Sequence, residues 1–182
     1  MLKQILRYLS GTCDYGIVYR CEPETTVTFA GFCDAMYADH KDHKSTLGYT
    51  FLATGGMITW KSNKQSIMAQ LSTEAEYIAL WEAGKEASWL RNLYNEIGHA
   101  QGKATLISCD NNGAVAIARN PMFHKRTKHI DSKYHWIWEK VEEECFYPVS
   151  CRTAEQTTDV LTKALPCPKY EQHRAKLGIA LV

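Results

Sequence analysis

Two aspartates that follow predicted β-strands are the first candidates for a catalytic or metal-binding site. Residues 27–34 (VTFAGFCD) alternate and are rich in β-branched and aromatic types, which predicts a strand that ends on Asp34. A second strand is predicted over residues 105–110, and it ends on Asp110. Ligand sites collect at the carboxyl ends of strands in α/β sheets. Each residue also has a purely structural explanation, because Asp110 could cap the following helix and Asp34 could lie in a solvated turn.

Glu76 heads the apolar stripe of the clearest predicted helix, which runs over about residues 73–97. The stripe, spaced by threes and fours, consists of Leu80, Ala83, Ala87, Leu90, Tyr94 and Ile97. Glu76 lies one turn before Leu80 and therefore puts a carboxylate on a core-facing row, where it needs a partner. Thr73-x-x-Glu76 also matches a capping box, although the stripe favours the inward direction. Glu74 lies off the stripe, so Glu76 is the candidate.

Asp159 completes a set of four acids. On its own it is a common first-turn residue of a helix that is predicted to begin near Thr157. Clustered carboxylates repel each other, and their pKa values rise unless divalent cations neutralise them. Oxygen ligands suit Mg²⁺ or Mn²⁺ rather than zinc. Two such ions ~3.5–4 Å apart can activate a water and stabilise the leaving 3′ oxygen in the in-line cleavage of a phosphodiester.

The remaining patterns predict an α/β domain with a mixed five-stranded sheet flanked by helices. Strands at about 46–54 and 58–64, separated by a Gly-Gly turn, extend the first strand into an antiparallel meander. A short amphipathic helix is predicted over residues 2–9. The later predicted elements are helices at about 113–119 and 130–144 and a strand at 146–149.

Composition excludes several classes of protein. The chain has 182 residues, of which 45% are hydrophobic and 23% charged, and this fits one domain with a short appendage. No run of about 18 apolar residues is present, and the amino terminus is too polar for a signal peptide. Seven cysteines without a C-x-x-C pair favour free thiols over a disulfide framework or a zinc knuckle. The net charge of +1 identifies no partner.

Four long, ordered stretches carry a family signature. The first is GFCDAMYADHKDHKSTLGYTFLATGGMITWKSNKQSIMAQLSTEAEYIAL, and the later ones are ISCDNNGAVAIARNP, FHKRTKHIDSKYHWI and AEQTTDVLTKALP. They resemble the ribonuclease H domain of a copia-type LTR retrotransposon Pol polyprotein. The leading LKQILRYLSGTCDYGIVYR resembles the tail that joins the reverse transcriptase to that domain. The resemblance thus implies a reverse transcriptase connection over residues 1–22 and a ribonuclease H domain over residues 23–182.

The resemblance implies a ribonuclease H-like fold and a metal site that holds two Mg²⁺ ions, with Mn²⁺ as the alternative. Each ligand is assigned by its own motif: Asp34 by F-C-D, Glu76 by A-E-Y-I-A, Asp110 by I-S-C-D and Asp159 by T-T-D-V-L-T. In the family, Asp34 and Asp110 would contact both ions, while Glu76 and Asp159 would hold one each. The implied activity is cleavage of the RNA strand of RNA–DNA hybrids during reverse transcription.

The same resemblance implies partners and a location. The partners would be the RNA–DNA hybrid and the reverse transcriptase domain of the same polyprotein. The location would be cytoplasmic virus-like particles, with the nucleus as the alternative.

This sequence departs from the family pattern in three places. The family usually reads D-A-D-W where this chain has Asp34-Ala35-Met36-Tyr37, so an acid near the site is missing. Many cellular and retroviral ribonucleases H carry a histidine about ten residues before the last aspartate, and here residues 148–158 contain none, although copia-type sequences generally lack it too. Cys151-Arg152 replaces the more usual Pro-Thr pair.

The basic segment 124–129 is the best candidate for binding a polyanion, because its Lys and Arg side chains would contact phosphates. A solvated charged surface is the structural alternative. Asn111 and Asn112 directly follow Asp110 and could meet ribose hydroxyls. The predicted contacts of the segment are His124, Lys125, Arg126 and Lys128.

Three other interpretations remain open at this stage. The chain could be a decayed or domesticated copy that binds nucleic acid without cutting it; the four intact acids weigh against this, and Met36 weighs for it. It could also be a nuclease of the same fold that acts on DNA, because fold alone does not decide substrate. A zinc site that joins His124 and His129 to Cys145 or Cys151 matches no established zinc spacing.

Overall fold

The computed structural model describes residues 2–20, 27–120 and 131–182. Its strands are β1 (Tyr15–Ile17), β2 (Phe29–Met36), β3 (Thr46–Ala53), β4 (Gly56–Lys64), β5 (Thr105–Cys109), β6 (Phe146–Ser150) and β7 (Ile179–Leu181). Its helices are α1 (Leu2–Ser10), α2 (Ser72–Glu96), α3 (Asn112–Arg119), α4 (Asp131–Glu142), α5 (Asp159–Thr162) and α6 (Cys167–Lys176). A 3₁₀ turn at Thr153–Glu155 precedes α5. Within these ranges, no helix is long and apolar enough to cross a membrane.

The central sheet has five strands in the order β4-β3-β2-β5-β6. Strands β2, β3 and β4 form an antiparallel meander, whereas β5 runs parallel to β2 and β6 runs parallel to β5. This confirms the predicted mixed five-stranded sheet. Phe32 of β2 is paired with Ser108 of β5, so the carboxyl ends of these two parallel strands lie side by side.

Helix α2 packs against the sheet and supplies eight of the 24 buried residues of the hydrophobic core. It contacts β2, β3 and β5, and the small residues Ala79, Ala83 and Ala87 are completely buried on the packed side. Their size allows a close approach to large core side chains that are also completely buried: Phe51, Ile107 and Phe146. Burial of each such side chain stabilises the fold by about 1.5–3 kcal/mol. The predicted stripe is therefore confirmed, except that the helix ends at Glu96 and leaves Ile97 exposed.

Two predicted boundaries are wrong. Strand β2 does not end on Asp34 but continues to Met36, because β3 pairs with Ala35 and Met36 through Leu47 and Thr46. The helix predicted from near Thr157 is instead two helices, α5 and α6. The interruption includes Pro166, whose ring and missing N–H oppose a continuous helix. The two short strands β1 and β7 were not predicted.

The amino-terminal segment is attached to the carboxyl-terminal one. Strand β1 pairs antiparallel with β7, and the hydroxyl groups of Tyr8 and Tyr170 are 2.6 Å apart in a hydrogen bond. The Tyr19 hydroxyl donates to the carbonyl oxygen of Met57 at 2.5 Å. At the junction, Gly178 has φ +77° and lies so close to Gly55 that a Cβ would be 2.4 Å from the Gly55 carbonyl oxygen. The domain boundary at residue 22 remains a prediction.

Replacing Gly84 with alanine should destabilise the fold. An added Cβ would lie 2.8 Å from the buried Phe146 ring and 3.1 Å from Trp136. Overpacking of this kind costs about 1–3 kcal/mol, whereas alanine gains at most about 1 kcal/mol in helix propensity. We expect a net loss of about 1 kcal/mol in the free energy of unfolding, measured by urea titration.

Gly102→Ala is the matched control, because a Cβ at Gly102 meets nothing within 4 Å. It should leave stability unchanged or raise it slightly by restricting the unfolded chain. A Gly84→Ala variant as stable as the parent would contradict the tight α2–β6 packing.

Candidate active site

Three acids from separate elements meet at the carboxyl edge of the sheet. Asp34 lies near the end of β2, Asp110 follows β5 directly, and Glu76 lies near the start of α2. Each offers a carboxylate oxygen, and these oxygens lie within 4.8 Å of one another. Asp34 is completely buried and Glu76 nearly so, while Asp110 is half-buried. In the part of the chain that the structure describes, no other group of acids, histidines or cysteines has a geometry that could hold a metal.

Glu76 faces the sheet because another glutamate serves the helix terminus. The N-cap of α2 is Leu71, which makes no side-chain cap, so the capping-box explanation of Thr73-x-x-Glu76 is wrong. Instead, a Glu74 carboxylate oxygen accepts the N–H of Gln70, the residue before the N-cap, at 2.6 Å. Glu76 is thereby left to point inward.

Two groups next to the other acids hold the Glu76 carboxylate. The Cys109 thiol, which precedes Asp110, donates to it at 3.8 Å. The backbone N–H of Ala35, which follows Asp34, also hydrogen-bonds to it. Both contacts tie the orientation of Glu76 to the ends of β2 and β5.

Asp110 does not cap the following helix. Asn111 is the N-cap of α3, and its side-chain oxygen accepts the Ala114 N–H at 3.0 Å. The helix-cap explanation of Asp110 is therefore wrong, and its carboxylate faces the other two acids. Asn112 is exposed in the first turn of α3. The predicted contacts of Asn111 and Asn112 with ribose remain predictions.

Asp159 joins the site through a lysine. It is the first residue of α5 and almost completely buried. Lys163 Nζ lies 2.7 Å from Asp159 Oδ1 and 3.0 Å from Asp34 Oδ1, so one ammonium group bridges the two acids. Lys169 Nζ lies 2.6 Å from the other Asp159 oxygen. The Thr162 hydroxyl donates to the second oxygen of Asp34.

The absence of a side chain at Gly48 allows α5 to pack closely against the sheet. Gly48 is paired with Asp34, and a Cβ at Gly48 would lie 2.8 Å from the Thr162 methyl group. Behind α5, the completely buried Gln156 donates from its side chain to the Cys33 carbonyl oxygen at 2.8 Å. These two features place Asp159 beside β2.

Burial and neighbouring charges shift the pKa values of the acids in different directions. Burial, then the neighbouring Cys109, Asp34 and Asp110, raise the pKa of Glu76 to about 10. Burial also raises the pKa of Asp34, in spite of the opposing effects of Thr162 and Lys163. Burial alone would raise the pKa of Asp159 as well, but Lys163 and Lys169 outweigh it and hold that pKa below its ordinary value. The Glu76 side of the cluster therefore lacks positive charge, and the Asp159 side has it.

The two lysines were not predicted from the sequence. Lys163 carried a local signal, because it lies four residues after Asp159 and such pairs meet on a helix. Lys169 carried none, since it lies in the next helix and reaches Asp159 only through the tertiary fold. The predicted substrate-binding residues His124, Lys125, Arg126 and Lys128 lie outside the described residues.

The chain has sequence relatives among known proteins. No family model matches the chain. It is 40% identical over 179 residues to the retrovirus-related Pol polyprotein from transposon TNT 1-94 of Nicotiana tabacum, and 36% identical over 182 residues to that from transposon RE1 of Arabidopsis thaliana. These alignments cover 98% and 100% of the chain but only 13% and 12% of the relatives.

The chain is homologous to one segment of retrotransposon Pol polyproteins. The fold of this Pol segment is that of ribonuclease H domains. LC11-RNase H1, solved in complex with an RNA/DNA hybrid, matches 74% of the segment with a TM-score of 0.52 and 15% identity, over 94% of its own chain. The foamy viral protease-reverse transcriptase, also solved with an RNA/DNA hybrid, matches 86% with a TM-score of 0.51 and 17% identity, over 22% of its own chain.

Replacing Glu76 with glutamine should stabilise the metal-free Pol segment at alkaline pH. Between the ordinary pKa of 4.5 and the raised value of about 10, the folded chain holds a proton that the unfolded chain has released. Stability therefore falls as the pH rises through this window, by up to about 1.4 kcal/mol per pH unit, and glutamine removes the part of this dependence that Glu76 contributes. Urea unfolding in EDTA at about pH 5, 7 and 9 measures it.

Glu74→Gln, on the same helix turn but bonded to Gln70, is the matched control and should keep the parental pH slope. If Glu76→Gln unfolds with that same slope, the Glu76 carboxyl does not carry the raised pKa.

Proposed function

We propose that this Pol segment is an endoribonuclease that hydrolyses the RNA strand of RNA–DNA hybrids with two divalent metal ions, during reverse transcription of a copia-type retrotransposon. The observation that carries the proposal is the convergence of Asp34, Glu76 and Asp110 within 4.8 Å on a ribonuclease H fold. Asp159, joined to Asp34 through Lys163, supplies the fourth acid.

The donor set fits a hard divalent cation. All three converging groups are carboxylates, and oxygen donors suit Mg²⁺ or Mn²⁺. Buried carboxylates this close together are unfavourable as anions unless a cation neutralises them, which the raised pKa of Glu76 reflects. Asp34 and Asp110 would contact both ions, while Glu76 and Asp159 would hold one each. Bound ions would activate the attacking water and stabilise the leaving 3′ oxygen.

The residues of the chain itself orient the acids. Thr162 fixes one oxygen of Asp34, and Cys109 with the Ala35 N–H fixes Glu76. Burial of Asp34 excludes bulk water from that side, whereas the half-buried Asp110 leaves the opposite side accessible to a phosphodiester. Such preorganisation reduces the reorganisation needed when charge develops at the phosphate.

Substrate, partner and location extend the proposal. LC11-RNase H1 and the foamy viral protease-reverse transcriptase were both solved with an RNA/DNA hybrid, which supports the same ligand here. We propose that the basic segment containing His124, Lys125, Arg126 and Lys128 contacts the phosphates of the hybrid, and that Asn111 and Asn112 contact its riboses.

The chain spans 13% of the tobacco relative, and the remainder of such a polyprotein would supply the reverse transcriptase. Virus-like particles are the proposed location, and residues 23–182 the proposed nuclease domain.

Incubation with a labelled RNA–DNA hybrid and Mg²⁺ or Mn²⁺ tests the activity. We expect cleavage of the RNA strand alone, no cleavage in EDTA, and none of RNA–RNA or DNA–DNA duplexes. Asp110→Asn should slow cleavage by at least about a hundredfold, because it removes one of the charges that stabilise the reaction. Asp14→Asn, an exposed aspartate before β1, is the matched control and should cut at the parental rate.

The alternatives give different results. Salt-sensitive binding of the hybrid without cleavage would support a decayed copy, in keeping with Met36 two residues beyond Asp34 on β2. Cleavage of the DNA duplex would support a DNA nuclease instead.

A further inference from the structure

Lys163 occupies the position between two of the four acids. Its ammonium nitrogen is 3.0 Å from Asp34 Oδ1 and 2.7 Å from Asp159 Oδ1, and both carboxylates are removed from solvent. The other oxygens of these acids are also occupied, by Thr162 on Asp34 and by Lys169 on Asp159. A carboxylate oxygen has two lone pairs and can accept a hydrogen bond while it binds a metal, but an ammonium group between two carboxylates occupies the position of a cation there and repels one.

Glu76 and Asp110 are in the opposite situation. Neither forms an ion pair among residues 2–20, 27–120 and 131–182. Their carboxylate oxygens nevertheless converge with that of Asp34. The acids are thus divided into an open group (Asp34, Glu76 and Asp110) and a lysine-occupied pair (Asp34 and Asp159).

We propose that Lys163 is a positioning residue that stands in for the second divalent cation, so that the metal-free chain admits one ion to the open group and admits the other only when a substrate phosphate draws the Lys163 ammonium away. The inference rests on the proposed function and concerns the order of metal loading. Lysine suits this role, because its ammonium is a point charge on a flexible stem and binds phosphate oxygens readily. The Lys163 side chain is 31% exposed, so the ammonium can move towards solvent.

Lys163 also keeps the metal-free site assembled. Two buried carboxylates without a cation between them would repel each other, which would loosen the contact of α5 with β2 until an ion binds between them. A bridging ammonium holds Asp159 where a second ion would need it, at the cost of competing with that ion.

Counting bound Mn²⁺ by electron paramagnetic resonance, without nucleic acid, tests the proposal separately from cleavage. The parental chain should bind one Mn²⁺ tightly. Lys163→Met should bind two, the second at least about tenfold more tightly than in the parent, because no ammonium then lies between Asp34 and Asp159. Lys163→Arg, which keeps the charge, should restore a count of one.

Lys140→Met is the matched control. Lys140 also contacts two acids, Glu139 at 3.7 Å and Glu143 at 2.6 Å, but it lies on α4, outside the acid cluster. Its substitution should leave the count at one. Unchanged affinity of the first Mn²⁺ in Lys163→Met reports that the open group is still folded, and a loss of that affinity would overturn the separation into two groups.

A hybrid with an uncleavable RNA strand should raise the parental count from one to two and leave Lys163→Met at two. A parental count other than one, or equal counts in the parent and Lys163→Met, would overturn the proposal. If the parent cuts hybrids but the counts do not respond to Lys163, the nuclease assignment stands and this inference fails. If the counts respond but no hybrid is cut, this inference stands and the nuclease assignment fails.

Discussion

Mutual repulsion of carboxylates at one edge of the sheet is the constraint on which the site depends. Asp34 and Asp159 are removed from solvent, Glu76 is nearly so, and Asp110 lies in contact range of two of them. In such surroundings the charged form of an acid is disfavoured unless a cation or hydrogen bonds compensate it. The structure compensates the Asp159 side with two ammonium groups, and it leaves the Glu76 side with a thiol and a backbone N–H.

This asymmetry gives the site two different responses to a cation. On the Glu76 side a divalent ion would replace protons, because burial has raised the pKa of that carboxyl to about 10. On the Asp159 side it would have to replace a lysine that is already well placed. In the proposed two-ion site, the four acids would therefore discriminate between a first and a second ion, although their chemical type is identical.

The geometry of the fold makes this crowding possible at three places. The parallel pairing of β2 and β5 sets Asp34 and Asp110 side by side. The small residues of α2 bring Glu76 down onto the sheet, and Gly48 lets Thr162 and the rest of α5 approach Asp34. The last two approaches depend on a missing or minimal side chain, so close packing contributes to the precision of the site.

The local sequence pattern was enough to predict the main helices and strands and most of the candidate acids, because hydrophobic periodicity and turn residues are encoded within short windows. The five-strand sheet and the α2 stripe followed from periodicity, and the inward direction of Glu76 followed from its place above Leu80. The family motifs added Asp159, which its local context alone did not distinguish.

What the sequence left undecided involves residues far apart in the chain. The end of β2 depends on its pairing with β3. The break between α5 and α6 depends on where each helix can pack. The pairing of β1 with β7 depends on contact between opposite ends of the chain. The lysines that neutralise Asp159 show most clearly what local sequence determines and what the tertiary fold determines. The contact of Lys163 with Asp159 joins helical neighbours four residues apart. The contacts of Lys169 with Asp159 and of Lys163 with Asp34 exist only because the tertiary fold brings α5, α6 and β2 together.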